Sequence, residues 1–251
     1  MTPALAAPMH SREAGLPERY SAWTEADVWH VFLRLVTRDS PLPGMRKRLQ
    51  EYRALFGGCY ETVRGEHAIV PGSHFRAADG VPFVNPLNIE HLTRLLHHFT
   101  HQLWKNGADA PTLDALFFVL KSRCQINLFY RQPVGRYFFP FHALGAVIGY
   151  GSFGDFLVIT QGTTIGHNHN KYPTIGSNVV LSPGSAILGD CKIGNNVLLG
   201  AGALVIDQTI ADDTIVLGRP PAQILKANPR DNRALNFDMA AVARLTPPGQ
   251  A

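Results

Sequence analysis

Apolar residues recur at every sixth position through the second half of this chain. Counting from Val147 gives Val147, Phe153, Ile159 and Ile165; after a short interruption the count resumes as Ile175, Leu181, Ile187, Ile193, Leu199 and Val205. Because 45% of the chain is apolar, ten such hits in one fixed register would arise by chance about 3 times in 10,000. Glycine often follows the apolar residue (Gly154, Gly166, Gly176, Gly194, Gly200). Four residues after it sits a small or β-branched one: Thr163, Val179, Ser185, Cys191, Val197, Ala203, Thr209. This hexapeptide repeat predicts a parallel β-helix of short flat strands, with three strands to a coil of about eighteen residues. The apolar residue points inward and the small one fits beside it. Glycines and Asn178, Asn195 and Asn196 turn the corners, where positive φ is cheapest. The repeat makes a little over three coils. A β-sandwich, the competing architecture, needs a period-two alternation that is weak here.

The first half follows a helical period instead. Residues 1–18, with Pro, Ala and Ser, predict disorder. A helix is expected over Ser21–Thr37, carrying Trp23, Ala26, Val28, Phe32, Leu33 and Leu35 and closed by Pro41 and Pro43. A second spans Met45–Phe56, stopped by Gly57-Gly58. Residues 59–88, rich in Gly, Pro and His, read as irregular with a strand at His67–Val70. Asn88–Lys105 is helical, with Ile89, Leu92, Leu95, Leu96, Phe99 and Leu103 on one side. Another helix runs from Thr112 to about Phe129, with Pro111 at its start and Asp114 in its first turn. A last helix is expected over Asp231–Arg244. The fold class is therefore α+β: an α-helical N-terminal domain (19–135), a β-helix domain (136–226) and a C-terminal tail (227–251).

Composition narrows the function classes. The chain of 251 residues has room for two modest domains. Its 23 Lys+Arg against 19 Asp+Glu leave a net charge of +4 without a basic stripe; Arg46, Lys47 and Arg48 read as a solvated helix face, which argues against nucleic acid as a partner. The three cysteines, Cys59, Cys124 and Cys191, form no CxxC motif, and Cys191 falls on an inward position. No apolar run of membrane-spanning length appears, so a soluble protein of a reducing, cytoplasmic setting is expected. His91, His97, His98 and His101 cluster in one helix. His97 and His101 share a face as zinc ligands do, but no Cys or HExxH pattern completes a set, and they read as amphipathic helix residues.

Two features interrupt the repeat. One is Phe139-Pro140-Phe141-His142-Ala143-Leu144-Gly145, at the entry to the first coil. The other is the loop Gly166-His167-Asn168-His169-Asn170-Lys171-Tyr172-Pro173-Thr174, where Ile165 to Ile175 takes ten residues instead of six. A core needs no such loop, and loops on rigid scaffolds commonly carry sites. His142 and the loop lie about one coil apart in sequence and can approach each other across a subunit boundary.

The strings His142-Ala-Leu-Gly-Ala-Val-Ile-Gly149, Gln161-Gly-Thr-Thr-Ile-Gly166, Pro173-Thr-Ile-Gly-Ser-Asn178 and Leu217-Gly-Arg-Pro-Pro-Ala222 together resemble the serine O-acetyltransferase family, over roughly residues 115–226. The resemblance implies a left-handed sense for the β-helix, a homotrimer or a dimer of trimers, and acetyl transfer from acetyl-CoA (or another acyl-CoA) to a small hydroxylated acceptor. The family's His-Ala-Thr-Gly context matches His142-Ala143-Leu144-Gly145, which implies His142 as general base. Such a base is what the chemistry needs, because a hydroxyl attacks a thioester slowly unless its proton is removed. Lys171, Tyr172, His167 and His169 are candidates to hold the acceptor. Gly166, Ser182, Gly184, Ala201 and Gly202 are small enough to admit the pantetheine arm, and Arg219 or Lys226 can meet its phosphates.

The chain departs from the family pattern at informative places. Phe141 stands where an Asp precedes the catalytic His, and no carboxylate occurs between Asp114 and Asp155 to orient the imidazole. Asn127, Gln132, a backbone carbonyl or a neighbouring chain are the substitutes to consider. The family's Arg-His-Pro reads Lys171-Tyr172-Pro173, which keeps a positive charge but loses the guanidinium fork. The family's terminal isoleucine is replaced by Gly249-Gln250-Ala251, so docking to cysteine synthase is not expected. Two other readings compete with acyl transfer. A carbonic-anhydrase-like β-helix would bind zinc through His142, His167 and His169, and a scaffold homologue would keep the trimer without chemistry.

Overall fold

A computed structural model describes residues 20–245; the disorder expected over 1–18 lies outside the described residues. The first helix, α1 (Glu25–Asp39), begins at a reciprocal cap. The Thr24 hydroxyl accepts the Asp27 N–H at 3.2 Å while the Asp27 carboxylate accepts the Thr24 N–H at 2.8 Å. It buries Val28, Trp29, Phe32, Leu33 and Val36. The helix expected over 45–56 is in fact two, α2 (Met45–Glu51) and α3 (Arg53–His67). Gly57-Gly58 does not stop α3. Two interior glycines cost about 2 kcal/mol of propensity together, while Phe56, Cys59, Tyr60 and Val63 all leave water on the same face. For the same reason His67–Val70 ends a helix rather than forming a strand. Asn88 caps α4 (Ile89–Lys105) by accepting the Glu90 N–H at 2.9 Å. Asp109 caps α5 (Ala110–Cys124), which stops at Gln125 in a left-handed conformation instead of continuing to 129.

Asn127–Leu128 (β1) already belongs to the solenoid, pairing in parallel with Val147–Ile148 (β3). The strands stack into three faces. The first holds β1, β3, β6 (Thr164–Gly166), β9 (Ala186–Leu188) and β12 (Leu204–Ile206). The second holds β4 (Ser152–Phe153), β7 (Thr174–Ile175), β10 (Lys192–Ile193) and β13 (Thr209–Ile210). The third holds β2 (Phe139–Pro140), β5 (Val158–Ile159), β8 (Val180–Leu181), β11 (Leu198–Leu199) and β14 (Thr214–Leu217), closed by antiparallel β15 (Ile224–Ala227). The solenoid thus makes about five turns, extending the expected three at both ends.

The interior follows the repeat from Ile159 to Val205: Ile159, Ile165, Ile175, Leu181, Ile187, Leu199 and Val205 are 0–2% exposed and Ile193 4%. The repeat slips at its ends. Ile148, not Val147, points inward, and Val147 is 42% exposed. Ile210 takes the inward place that the count of six gives Ala211, and Thr209, expected beside the interior, is exposed, because Lys192 pairs with Thr209 and the last coil is one residue shorter than three hexapeptides. Of the expected corner residues, Asn178 and Asn196 do have positive φ. Asn195 acts through its side chain, accepting the Ser177 N–H at 2.9 Å. Gly154, Gly176 and Gly194 serve close approach rather than turning, since a Cβ on Gly176 would lie 2.8 Å from the Gly194 carbonyl.

Each face has a distinct fate. The third is covered: Val158 and Val180 pack against Ile69, Val70, Phe237, Ala241 and Val242. The expected tail helix over 231–244 is broken into α6 (Arg233–Asn236) and α7 (Met239–Leu245) by extended Phe237. Asn232 holds the corner there, its N–H donating to Asn196 Oδ1 at 2.9 Å and its amide to the Asn178 carbonyl at 3.1 Å. The second face presents Ser152, Thr174, Lys192 and Thr209, all exposed and polar. Outward on the first face stand Val147, Thr164, Ala186, Leu188, Leu204 and Ile206, a mostly apolar column of which Val147 and Ile206 are exposed and the rest half-buried.

Candidate active site

His142 lies in the turn from β2 to β3, on the edge between the third and first faces. Its backbone is left-handed (φ 49°), a conformation disfavoured for a residue with a Cβ. Phe141 before it is half-buried, with its ring 5.4 Å from Phe139 and 6.0 Å from Phe75. Phe141 therefore anchors the turn by packing, where the family pattern has a charge. The His142 side chain is 85% exposed.

A carboxylate does reach His142, from outside the solenoid. Glu90, in the first turn of α4, places Oε1 3.0 Å from His142 Nδ1 and 2.9 Å from its backbone nitrogen. The Glu90 side chain is 12% exposed. Gln132, one of the substitutes named from the sequence, does not take this place. Gln132 is spent inside the first coil, where its amide accepts the Gly151 N–H at 3.0 Å and donates to the Gly151 and Pro133 carbonyls. Sequence reasoning missed Glu90 because it lies 52 residues upstream. A glutamate in a helical first turn ordinarily reads as dipole compensation.

The edge that carries His142 continues upward through the coils. The Gly162 N–H donates to the Leu144 carbonyl (2.9 Å), the Gly184 N–H to Gln161 (2.9 Å) and the Gly202 N–H to Pro183 (2.8 Å). Gly162, Gly184 and Gly202 all turn with positive φ. Arg219 closes the column, its Nε donating to the Gly202 carbonyl at 2.9 Å. Of the residues expected to meet the acyl carrier, Ser182, Gly184, Ala201, Gly202 and Arg219 therefore share one edge with His142. Gly166 lies elsewhere, at the end of β6 on the first face, and Lys226 is on β15.

The inserted loop occupies the opposite edge of the first face, between β6 and β7. Asn168 and Lys171 exchange backbone hydrogen bonds of 3.1 and 2.9 Å around His169-Asn170, both with positive φ, forming a tight two-residue turn. Asn168 donates to Asp207 at 2.6 Å, and Lys171 Nζ lies 3.2 Å from Asp190. Asp207 also accepts the Asp190 N–H, and with these donors its carboxyl is held below the usual carboxylate range. Tyr172 is exposed, its ring 5.7 Å from His167 and 6.2 Å from Tyr150. The loop is thus rigidly tied to the next coil, but within one chain it does not meet His142, because the first face separates them.

Within a single chain the zinc alternative finds no preformed geometry. Among the described residues no group of three or more His, Cys, Asp or Glu is placed to hold a metal ion, and His142 lies on a different edge from His167 and His169. Of the helical histidines, His91 and His97 are buried and His98 and His101 half-buried. Burial pushes His91 and His97 down to about 3 and His98 to about 4, while His101 Nδ1 bonds the Tyr130 carbonyl at 2.7 Å. Cys191 is buried in the solenoid, its thiol donating to the Leu188 carbonyl at 3.1 Å. No described helix is long and apolar enough to cross a membrane.

Comparison with known proteins agrees with this architecture. The bacterial transferase hexapeptide (six repeats) family matches residues 172–207. A serine acetyltransferase of Synechocystis sp. is 38% identical over 144 residues, which is 55% of this chain and 57% of that protein. The chain spans about half the length of the first curated relatives it matches. The crystal structure of serine acetyltransferase from Vibrio cholerae superposes with a TM-score of 0.67 at 21% identity, covering 84% of this chain and 83% of that one. Serine acetyltransferase from Brucella abortus, in complex with coenzyme A, gives 0.64 at 20% identity, over 82% and 83% of the two chains. At these identities the structural likeness establishes the fold.

Proposed function

We propose that this protein is a CoA-dependent O-acyltransferase. It would move an acetyl group directly to the hydroxyl of a small acceptor, a serine-like amino acid or a sugar, with His142 as general base. The observation that carries the reading is the edge itself: His142 at one end, a column of small residues along it and Arg219 at the other. Four coil steps of about 4.8 Å make an edge of about 19 Å, comparable to an extended pantetheine arm with Arg219 left for a phosphate. The structure of a similar protein with coenzyme A bound is consistent with that use of the fold.

The chemistry follows from where the groups stand. His142 Nε2 takes the acceptor proton as the oxygen attacks the thioester carbon. The tetrahedral centre then collapses, the C–S bond breaks, and the imidazolium returns the proton to the departing sulfur. A positioned imidazole contributes about 10²–10⁴-fold to such a step. Backbone N–H groups at the coil corners are the candidate donors to the oxyanion.

The acceptor end would come from a second copy. In a cyclic trimer whose apolar first faces line the axis, the edge of one copy carrying His142 abuts the opposite edge of the next. That edge carries His167, His169, Lys171 and Tyr172. Burial of Val147, Leu188 and Ile206 supplies the driving force for this arrangement.

The test is thiol release from acetyl-CoA with a panel of hydroxylated amino acids and sugars, run beside a mass measurement in solution. A trimer or hexamer with acceptor-dependent release, and a loss of at least about 10²-fold in His142→Ala, is the expected result. Full turnover by His142→Ala would overturn the base assignment. No release and no CoA binding would favour the scaffold reading.

A further inference from the structure

The least expected contact near the site is between the helical domain and the His142 turn. We infer that Glu90 is the residue that positions His142, so that the N-terminal domain supplies part of the site its sequence gives no hint of. This inference rests on the proposed role of His142 as base.

One carboxylate oxygen serves two donors of the same residue. Glu90 Oε1 is 2.9 Å from the His142 backbone nitrogen and 3.0 Å from Nδ1. The first is a hydrogen bond that holds the peptide plane of a residue with φ 49°, and the second is a charge contact that sets the carboxylate against the ring. With an accepting carboxylate oxygen this close, the tautomer with its proton on Nδ1 is the favoured one. The Nε2 lone pair is then free, on a side chain that is 85% exposed. That is the tautomer a general base needs, and it is the minor one for a solvated histidine. Once Nε2 takes a proton, the same carboxylate faces an imidazolium at hydrogen-bonding distance and stabilises it.

Glu90 can hold this position because its own backbone is held. It stands in the first turn of α4, where Asn88 Oδ1 accepts its N–H at 2.9 Å. One turn further on, Arg94 forms a buried ion pair with Glu66, which in turn accepts the Tyr137 N–H at 3.1 Å, and Arg94 stacks 4.1 Å over Phe139. Phe139 and Pro140 form the strand that leads into His142. Helix α4 therefore grips the same strand whose following turn it orients. On the His142 side the site has lost the charge that the family pattern places before the histidine; Glu90 restores one from another domain.

Three variants and two readouts decide the matter. Glu90→Ala removes both contacts. Glu90→Gln keeps the size and an accepting oxygen but not the charge, and Glu90→Asp shortens the reach. The first readout is steady-state kinetics. Glu90→Ala is expected to lose about 10²-fold or more in kcat, with KM for acetyl-CoA within about threefold of the parent. Glu90→Gln should fall between parent and Ala. The second readout does not depend on turnover: long-range ¹H–¹⁵N spectra of histidine-labelled protein, with His142 assigned by comparison with His142→Ala. The parent is expected to show the Nδ1–H tautomer, and Glu90→Ala the Nε2–H form. An unchanged tautomer in Glu90→Ala together with kcat within twofold of the parent would overturn the inference. If the parent releases no thiol with any acceptor, the proposed function fails, and the tautomer still decides whether Glu90 sets the ring.

Discussion

Acidification should unfold the helical domain at a pH where exposed carboxylates are still ionised. His67, His91 and His97 are 0–4% exposed, and burial lowers all three, with neighbouring cations adding to the effect: Arg94 on His67 and His91, other histidines on His97. The His67 and His91 rings lie 4.2 Å apart, so charging either would place two cations, one of them Arg94, in a dry core. The sign follows from the direction. These groups bind protons in the unfolded chain near pH 6.5 but not in the fold, so stability is complete above that value and falls as pH drops through it. His91 and His97, both at about 3 in the fold, each lose about 2 kcal/mol between pH 8 and pH 5, giving about 4 kcal/mol for the pair. His67 adds in the same direction. That is a large share of the 5–15 kcal/mol typical of a folded protein. Urea unfolding followed by far-ultraviolet circular dichroism, at fixed protein concentration and half-unit pH steps, measures it. The expected slope below pH 6 is at least about 2.7 kcal/mol per pH unit. A flat stability between pH 8 and pH 5 would show that these histidines are hydrated or already charged, and the interior described here would be wrong.

Two further outcomes test the solenoid. Gly176→Ala should destabilise by about 1–3 kcal/mol, because the added Cβ meets the Gly194 carbonyl carbon and oxygen at 2.8 Å, backbone that cannot yield without parting two coils; a melting temperature within a degree of the parent would contradict the close stacking. Val147→Lys with Ile206→Lys, both exposed on the first face, should convert the proposed trimer to monomer by light scattering while leaving the circular dichroism unchanged. An unchanged mass would remove the first face from the interface.

The limits of the sequence reading fall at identifiable residues. Period six located the interior because every inward side chain is separated from the next by one strand and one corner, a purely local constraint. It failed at Val147 and at Thr209, where a coil is one residue short of eighteen. No local rule records such a slip; only pairing with the coil beside it does, as in Lys192 with Thr209. Gly57-Gly58 misled for the opposite reason. Their propensity is local, but the burial of Phe56, Cys59, Tyr60 and Val63 that overrides it is not.

The sequence by itself determined the solenoid, the residue at its mouth and the loop on its side. Each of these is written in a contiguous stretch, as a period or as a break in one. Only the tertiary structure decided what those features face. It put His142 and the small-residue column on one edge and the loop on another, left one prism face mostly apolar and partly exposed, and brought Glu90 to a histidine 52 residues away. Contacts between a helix and a coil corner depend on how two domains pack, and packing leaves no period in the chain to read.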